Sequence, residues 1–167
     1  MNFIVAVSKD YAIGKDNNLL FNIPSDLKYF KQMTTGKVVV MGQNTYLSLP
    51  RRPLPNRINI VLSNDYNFND DSIIIVRSVA ELFSELEKYN TDDVMICGGA
   101  SVYNLMMDYC RTAYITMIDA SVPADTFIHN LDKKNNWTLV KESETMHENG
   151  LNFTFREYHN TSPKQYK

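Results

Sequence analysis

Two cysteines, Cys97 and Cys110, are all the thiol chemistry in this chain of 167 residues, and no C-x-x-C pair exists. A disulfide framework is excluded as the source of stability, and two reduced thiols in a reducing compartment are expected. The three histidines (His129, His147 and His159) lie far apart, and none recurs at i, i+4, so no zinc ligand set is visible. Charge of one sign is also lacking: 17 basic and 19 acidic residues leave a net charge of −2. No polyanion-binding surface follows from that balance, and nucleic acid is not an expected partner. No apolar run approaches the roughly 18 residues of a membrane span. The start Met1–Ser8, followed by Lys9-Asp10, lacks the basic lead, long apolar core and cleavage site of a secretory signal. The Asn-x-Ser/Thr triplets at Asn136, Asn152 and Asn160 are read as chance in a chain rich in Asn. A cytoplasmic location without membrane contact is expected.

What is present fits one domain. Hydrophobic residues make up 44 % and charged residues 22 %, ordinary values for a globular chain. A chain this long buries about 70 % of its unfolded surface without a metal or disulfide staple. Short β-branched runs recur at Phe3–Val7, Val38–Met41, Ile58–Leu62, Ile73–Val76, Val94–Cys97 and Ala113–Ile118, with a closing pair at Trp137–Lys141 and Leu151–Tyr158. Ser78-Val-Ala-Glu81 is a capping box, and Val79, Leu82, Phe83 and Leu86 then repeat at helical spacing. Near-continuous apolar strands separated by helices predict an α/β fold of a single domain, residues 1–160. Its central sheet is expected to be largely parallel, about eight strands flanked by about four helices, with an antiparallel hairpin at the C-terminal edge. Residues 161–167 read as a polar, frayed tail.

Four constellations could carry chemistry. Asp26 follows Ile23-Pro24-Ser25, a helix start with Pro in the first turn. At 3.6 residues per turn Ile23, Leu27, Phe30 and Met33 form one stripe, and Asp26 falls between Phe30 and Met33. An acid in a first turn commonly does no more than complement the helix dipole. An acid that points with apolar residues is expensive unless a polar ligand or a proton explains it. The residues alone leave both readings open. In Val94–Tyr103 an apolar strand ends in Gly98-Gly99 and runs into a helical pattern. That is either a tight turn, the commoner case, or a close approach to a phosphate. Met41-Gly42-Gln43-Asn44-Thr45-Tyr46 is a second strand-to-helix junction, and two such junctions suit a nucleotide lying across strand ends. Arg51-Arg52-Pro53-Leu54-Pro55-Asn56-Arg57 is either a solvated loop or a rigid frame presenting an arginine to a carboxylate.

In this order the four elements resemble dihydrofolate reductase of the bacterial chromosomal type, from about Phe3 to Tyr158. The match runs through Ala12-Ile13-Gly14 to Phe21, Ile23-Pro24-Ser25-Asp26-Leu27-Lys28-Tyr29-Phe30, Met41-Gly42-x-x-Thr45-Tyr46, Arg52-Pro53-Leu54-Pro55-x-Arg57, Cys97-Gly98-Gly99-x-x-Val102-Tyr103 and Tyr114-Ile-Thr116-Met-Ile-Asp119. The resemblance implies NADPH-dependent reduction of 7,8-dihydrofolate, with hydride to C6 and a proton to N5. It implies a monomer that binds its small-molecule substrate and antifolate inhibitors.

By the same resemblance Asp26 is the one ionisable group of the pterin pocket, Thr116 shares its contact with the 2-amino group, and Phe21 stands at the catalytic loop. Ile4, Val5, Ala6, Leu19, Leu27, Phe30, Leu49, Leu54, Cys97 and Tyr103 line the substrate. Arg57, helped by Lys31 and Arg52, takes the carboxylate of its glutamate tail. On the cofactor side the resemblance implies Ala6, Ile13, Gly14 and Asn17 near the nicotinamide. Gly98, Gly99, Ala100, Ser101 and Val102 receive the pyrophosphate, and Leu19, Gly42, Gln43, Asn44, Thr45, Leu62, Ser63, Asn64, Arg77, Cys97, Tyr103 and Thr126 complete the cofactor contacts. A cis Gly98–Gly99 peptide is implied, as is a closing loop over residues 13–21.

Three positions depart from the pattern. Gln43-Asn44 removes cationic contact to the 2′-phosphate, which Arg77 with Ser63 and Asn64 is expected to replace. Phe21 stands where a Trp is frequent. Pro50-Arg51 lengthens the Pro-rich loop. The rival readings are a pyrimidine reductase of riboflavin synthesis, which lacks the I-P-x-D-L-x-x-F opening, and a non-catalytic nucleotide-binding module, which needs neither Asp26 nor Arg57.

Overall fold

Alternation within the β-branched runs decides how the molecule is layered. The structure, a computed structural model, describes residues 1–166, and Lys167, the end of the expected tail, lies outside them. The first elements are β1 (Asn2–Val7), β2 (Ala12–Lys15), β3 (Asn18–Leu19), α1 (Pro24–Thr34), β4 (Val38–Gly42) and α2 (Gln43–Ser48). Next come β5 (Ile58–Leu62), β6 (Ile74–Val76), α3 (Val79–Leu86), β7 (Val94–Ile96) and α4 (Ala100–Met106). The chain ends with β8 (Thr112–Ile118), β9 (Thr126–Phe127), β10 (Trp137–Glu142), β11 (Met146–Glu148) and β12 (Leu151–Asn160).

The main sheet has the order β10-β12-β8-β1-β7-β4-β5-β6. β1 runs parallel to β7 and β8, β4 to β7 and β5, and β5 to β6. β12 is antiparallel to β8 and β10, which makes the expected antiparallel edge. Successive residues of β4 serve opposite faces. Val38 and Val40 join the cluster that holds Leu82 and Leu86 of α3 and Val102 and Met106 of α4, whereas Val39 and Met41 pack with Tyr46 of α2 and with Leu49 and Leu54. Both faces are covered, as buried parallel strands require. The Ser78 hydroxyl accepts the Glu81 N–H at 3.1 Å, so α3 starts at its capping residue. The Glu81 carboxylate reaches back to the Arg77 N–H at 2.6 Å, one residue ahead of the cap.

Two features were not legible in the strand pattern. β11 adds to β12, and β3-β2-β9 form a separate small sheet. The segment expected as a closing loop is thus mostly a hairpin, because Asp16 (φ 49°) and Asn17 (φ 61°) take the left-handed conformation of a tight turn. The tail also differs from a frayed end. Tyr166 stacks on Phe83 at 5.5 Å and shares a 2.9 Å hydrogen bond with the Thr91 hydroxyl, and the Lys164 N–H donates to the Asp108 carbonyl. Among the described residues no helix is long and apolar enough to cross a membrane.

Candidate active site

Helix α1 lies against β8 and β12. Tyr29 packs on Phe155 with ring centroids 4.3 Å apart, and Asp26, one turn earlier, faces the buried Thr116. The Thr116 hydroxyl donates to Asp26 Oδ1 at 2.5 Å. Burial raises the pKa of Asp26, and the Thr116 hydrogen bond opposes that rise without cancelling it. A carboxylate in this setting is poised to hold or release a proton nearer neutrality than an exposed one. Ile23 is buried at the helix start, but Leu27, expected on the same stripe, is 52 % exposed. Tyr29 takes its place in contact with the sheet because its ring reaches Phe155. Ile4 and Val5 are buried and Ala6 is half-buried, and the Tyr103 hydroxyl donates to the Ile4 carbonyl at 2.6 Å. Burial, with the nearby Asp26 carboxylate, holds Tyr103 well above the ordinary phenol range.

A second centre forms where α1 ends. Thr34, fully buried, donates its hydroxyl to the Phe30 carbonyl at 2.7 Å and accepts from Arg57 Nη1 at 2.9 Å. Arg57 Nε donates to the Pro55 carbonyl, which leaves Nη2 without a protein partner among the described residues. Asn59, inside β5, braces the same loop: its Oδ1 accepts from the Leu54 N–H, and its Nδ2 donates to the Leu54 and Arg57 carbonyls. The Arg52–Pro53 peptide is cis. Arg52 itself donates to the Leu47 carbonyl at 2.6 Å and lies over the Tyr46 ring, so its expected place beside Arg57 is corrected to a brace on α2. Lys31 is exposed.

Two glycine junctions meet at the ends of β4 and β7. The Gly98–Gly99 peptide is cis, as expected. Gly98 has φ +114°, and a Cβ there would stand 3.0 Å from the Tyr103 ring. A Cβ on Gly99 would stand 3.1 Å from Thr45 Oγ1. The Gly42 N–H donates to the Gly98 carbonyl at 2.8 Å, and Cys97 N–H to Val40. These contacts bring Gly42, Thr45, Gly98, Gly99, Ala100 and the buried Val102 together, with Ser101 and Asn44 exposed beside them. Burial pushes the Cys97 thiol up to about 12, so it is a neutral wall and not a nucleophile.

At the end of β5, next to Leu62, the nearly buried Ser63 donates to Gln43 Oε1 at 2.5 Å, and Gln43 Nε2 donates to Asp65 Oδ2 at 3.4 Å. Asn64 is exposed. Arg77, expected as a cation offered to a phosphate, points into its own loop. It donates to the Asp65 carbonyl at 2.6 Å and the Phe68 carbonyl at 2.8 Å and lies over the Tyr66 ring. The correction has a simple cause: carbonyls of residues 63–69 turn inward around the guanidinium.

The hairpin β2–β3 is joined to β9 in the small sheet. Gly14 pairs with Thr126 of β9, and Asp125 Oδ2 accepts the Asp16 N–H at 2.9 Å. Leu19 is 74 % exposed, Asn17 is exposed, Ile13 is half-buried, and Phe21 packs with Ile23, Ile118 and Phe153. Sequence reasoning missed Thr34, Asn59 and Asp125. A polar residue within an apolar strand (Ile58-Asn59-Ile60) was the signal available for Asn59, and none was available for the other two.

Comparison with known proteins agrees with this geometry. The family profile described as Dihydrofolate reductase matches residues 1–160. A dihydrofolate reductase of Buchnera aphidicola from Acyrthosiphon pisum is 34 % identical over 157 residues, covering 93 % of this chain and 96 % of that protein. Escherichia coli dihydrofolate reductase type 9 is 32 % identical over 98 % of this chain and 94 % of its own. The solved dihydrofolate reductase from Enterococcus faecalis, complexed with NADP(H) and RAB-propyl, superposes with a TM-score of 0.85 at 29 % identity and covers 96 % of both chains.

Proposed function

This chain belongs to the dihydrofolate reductase family, and from that premise we propose how its residues carry out the NADPH-dependent reduction of dihydrofolate. The observation that carries the reading is the Asp26–Thr116 pair, a desolvated carboxylate held by a hydroxyl at the sheet surface beneath α1. Asp26 accepts from the amidine-like edge of the pterin, and Thr116 keeps the carboxylate oriented toward it. The raised pKa lets Asp26 support protonation at N5 through water, because a carboxylate bound to the far edge of the ring does not reach N5 directly. Leu19 and Leu27, both exposed, offer apolar surface to the ring system. Arg57, held by Thr34 and Pro55, presents Nη2 to the carboxylate of the glutamate tail.

The residues fit a dinucleotide. Gly98 and Gly99 admit no side chain, because a Cβ would press on Tyr103 and Thr45, and their backbone lies between two strand ends of a parallel sheet, where nucleotides bind. NADPH, when bound, supplies the hydride for C6. Gly42, Thr45, Gly98, Gly99 and the start of α4 would hold its phosphates, and Ala6, Ile13 and Gly14 its nicotinamide end. The hairpin β2–β3, braced by Asp125, excludes water from that end.

The enzyme reads as a monomer, since Asp26, Thr116 and Arg57 of one chain complete the pocket. A cytoplasmic location is the companion reading, supported by the two free thiols. Residues 161–166 act as a strap on the catalytic domain of 1–160. The test is the loss of 340 nm absorbance from NADPH when dihydrofolate is added to the purified protein. Consumption that depends on dihydrofolate is expected, and its absence would overturn the reading.

A further inference from the structure

We propose that Asp65 is a specificity-determining residue that narrows this enzyme's preference for NADPH over NADH. The inference rests on the reading that the dinucleotide crosses the strand ends.

Strands β1, β7, β4 and β5 stand side by side in that order and are parallel, so their carboxyl ends share one rim. The reacting nicotinamide belongs at the β1–β8 side, where Asp26 and Thr116 meet. With the phosphates at the Gly98–Gly99 junction of β7, the adenosine half extends over β4 toward β5. It ends at Gln43, Ser63 and Asp65.

The polar groups of that corner largely satisfy one another. The Ser63 hydroxyl proton is directed to Gln43 Oε1, and the Ser63 oxygen accepts the Asp65 N–H at 3.2 Å. The Gln43 amide turns toward the Asp65 carboxylate. Arg77 is the one cation hydrogen-bonded to residues 63–69 among the described residues, and it is committed to the Ser63, Asp65 and Phe68 carbonyls and to Asn69 Oδ1.

A 2′-phosphate carries a charge of about −1.5 to −2 and requires donors or cations. A 2′-hydroxyl requires one acceptor, which a carboxylate supplies. Asp65 therefore repels the group that distinguishes NADPH and can accept from the group that distinguishes NADH. For an exposed carboxylate a few ångströms from a dianion, screened by water, the repulsion is worth about a five- to twentyfold difference in affinity.

The experiment titrates parent, Asp65→Asn and Gln43→Arg proteins calorimetrically with 2′,5′-ADP, 5′-ADP and NADPH at pH 5.5 and 7.5. Asp65→Asn keeps an Oδ1 acceptor for the Asn67 N–H, so the turn survives, and thermal unfolding checks it. The parent should favour 2′,5′-ADP over 5′-ADP by less than about tenfold. Asp65→Asn should tighten 2′,5′-ADP by about five- to twentyfold at pH 7.5 and leave 5′-ADP within about twofold. The gain should shrink at pH 5.5, below the second phosphate pKa of about 6. Gln43→Arg should tighten 2′,5′-ADP alone. An Asp65→Asn affinity ratio equal to the parent's at both pH values would overturn the proposal, as would a parent preference above about a hundredfold. Failure of NADPH itself to bind would bring down the underlying cofactor reading as well.

Discussion

Arg57 Nη1 donates to the buried hydroxyl of Thr34 at 2.9 Å, so the last turn of α1 orients the guanidinium that the Pro-rich loop carries. Residues at both ends of α1 therefore belong to the proposed substrate site, Asp26 at the start and Thr34 at the finish.

Arg57→Ala should raise the KM for dihydrofolate far more than it lowers kcat, because a tail carboxylate is bound alike in ground and transition states. Losing a desolvated charged pair costs about 2–5 kcal/mol. Thr34→Val, which removes that acceptor together with the hydroxyl's bond to the Phe30 carbonyl, should show the same KM-against-kcat split at about 1–3 kcal/mol. Steady-state kinetics with dihydropteroate, which has no glutamate tail, should not distinguish either variant from the parent.

Asp26→Asn should slow hydride transfer at pH 7 by about 10²- to 10⁴-fold, the usual contribution of a positioned acid–base group. The deficit should shrink as pH falls, because solvent then protonates N5 unaided. The parent should lose rate as pH rises through a pKa above the ordinary Asp value of about 3.9, as burial dictates. Single-turnover absorbance from pH 5 to 9 checks both profiles. A variant with the parent's rate and profile would leave Asp26 as a helix-start residue only.

The same burial has a consequence for stability. The folded pKa of Asp26 is raised, so its contribution is fully present below the unfolded pKa of about 3.9 and is lost as pH rises through the folded value. Above that window the parent holds a desolvated charge that Asp26→Asn lacks. The variant should melt at a higher temperature than the parent at pH 8, with the difference vanishing toward pH 4. Equal melting temperatures across the range would contradict the desolvation assigned to Asp26.

Tyr166→Ala removes the stack on Phe83 and the hydrogen bond to Thr91. A half-buried aromatic pair and one hydrogen bond together are worth about 1–2 kcal/mol. Chemical denaturation should show that loss with kcat unchanged, since the strap lies against α3 and not against the pterin cleft.

Local order was legible from the residues themselves. The continuous apolar run Val38–Met41 specifies a strand buried on both faces, and Ser78 with Glu81 specifies where α3 begins. Pro24 marks the start of α1, and its period places Asp26 among apolar neighbours. These are interactions within a few residues, and periodicity and capping chemistry record them directly. Other features depend on which strands become neighbours. Thr116 meets Asp26 across 90 positions because β12 pairs with β8 and packs Phe155 against α1. Thr34 serves Arg57 only once β5 lies beside β4. Arg77 turned into its own loop, and the polar tail docked through one tyrosine, because a hydrogen bond or ring contact takes whichever partner the packed fold brings within reach. The chain by itself determined its layers, its helix starts and the chemical types available to the site; the tertiary structure decided which of those groups touch.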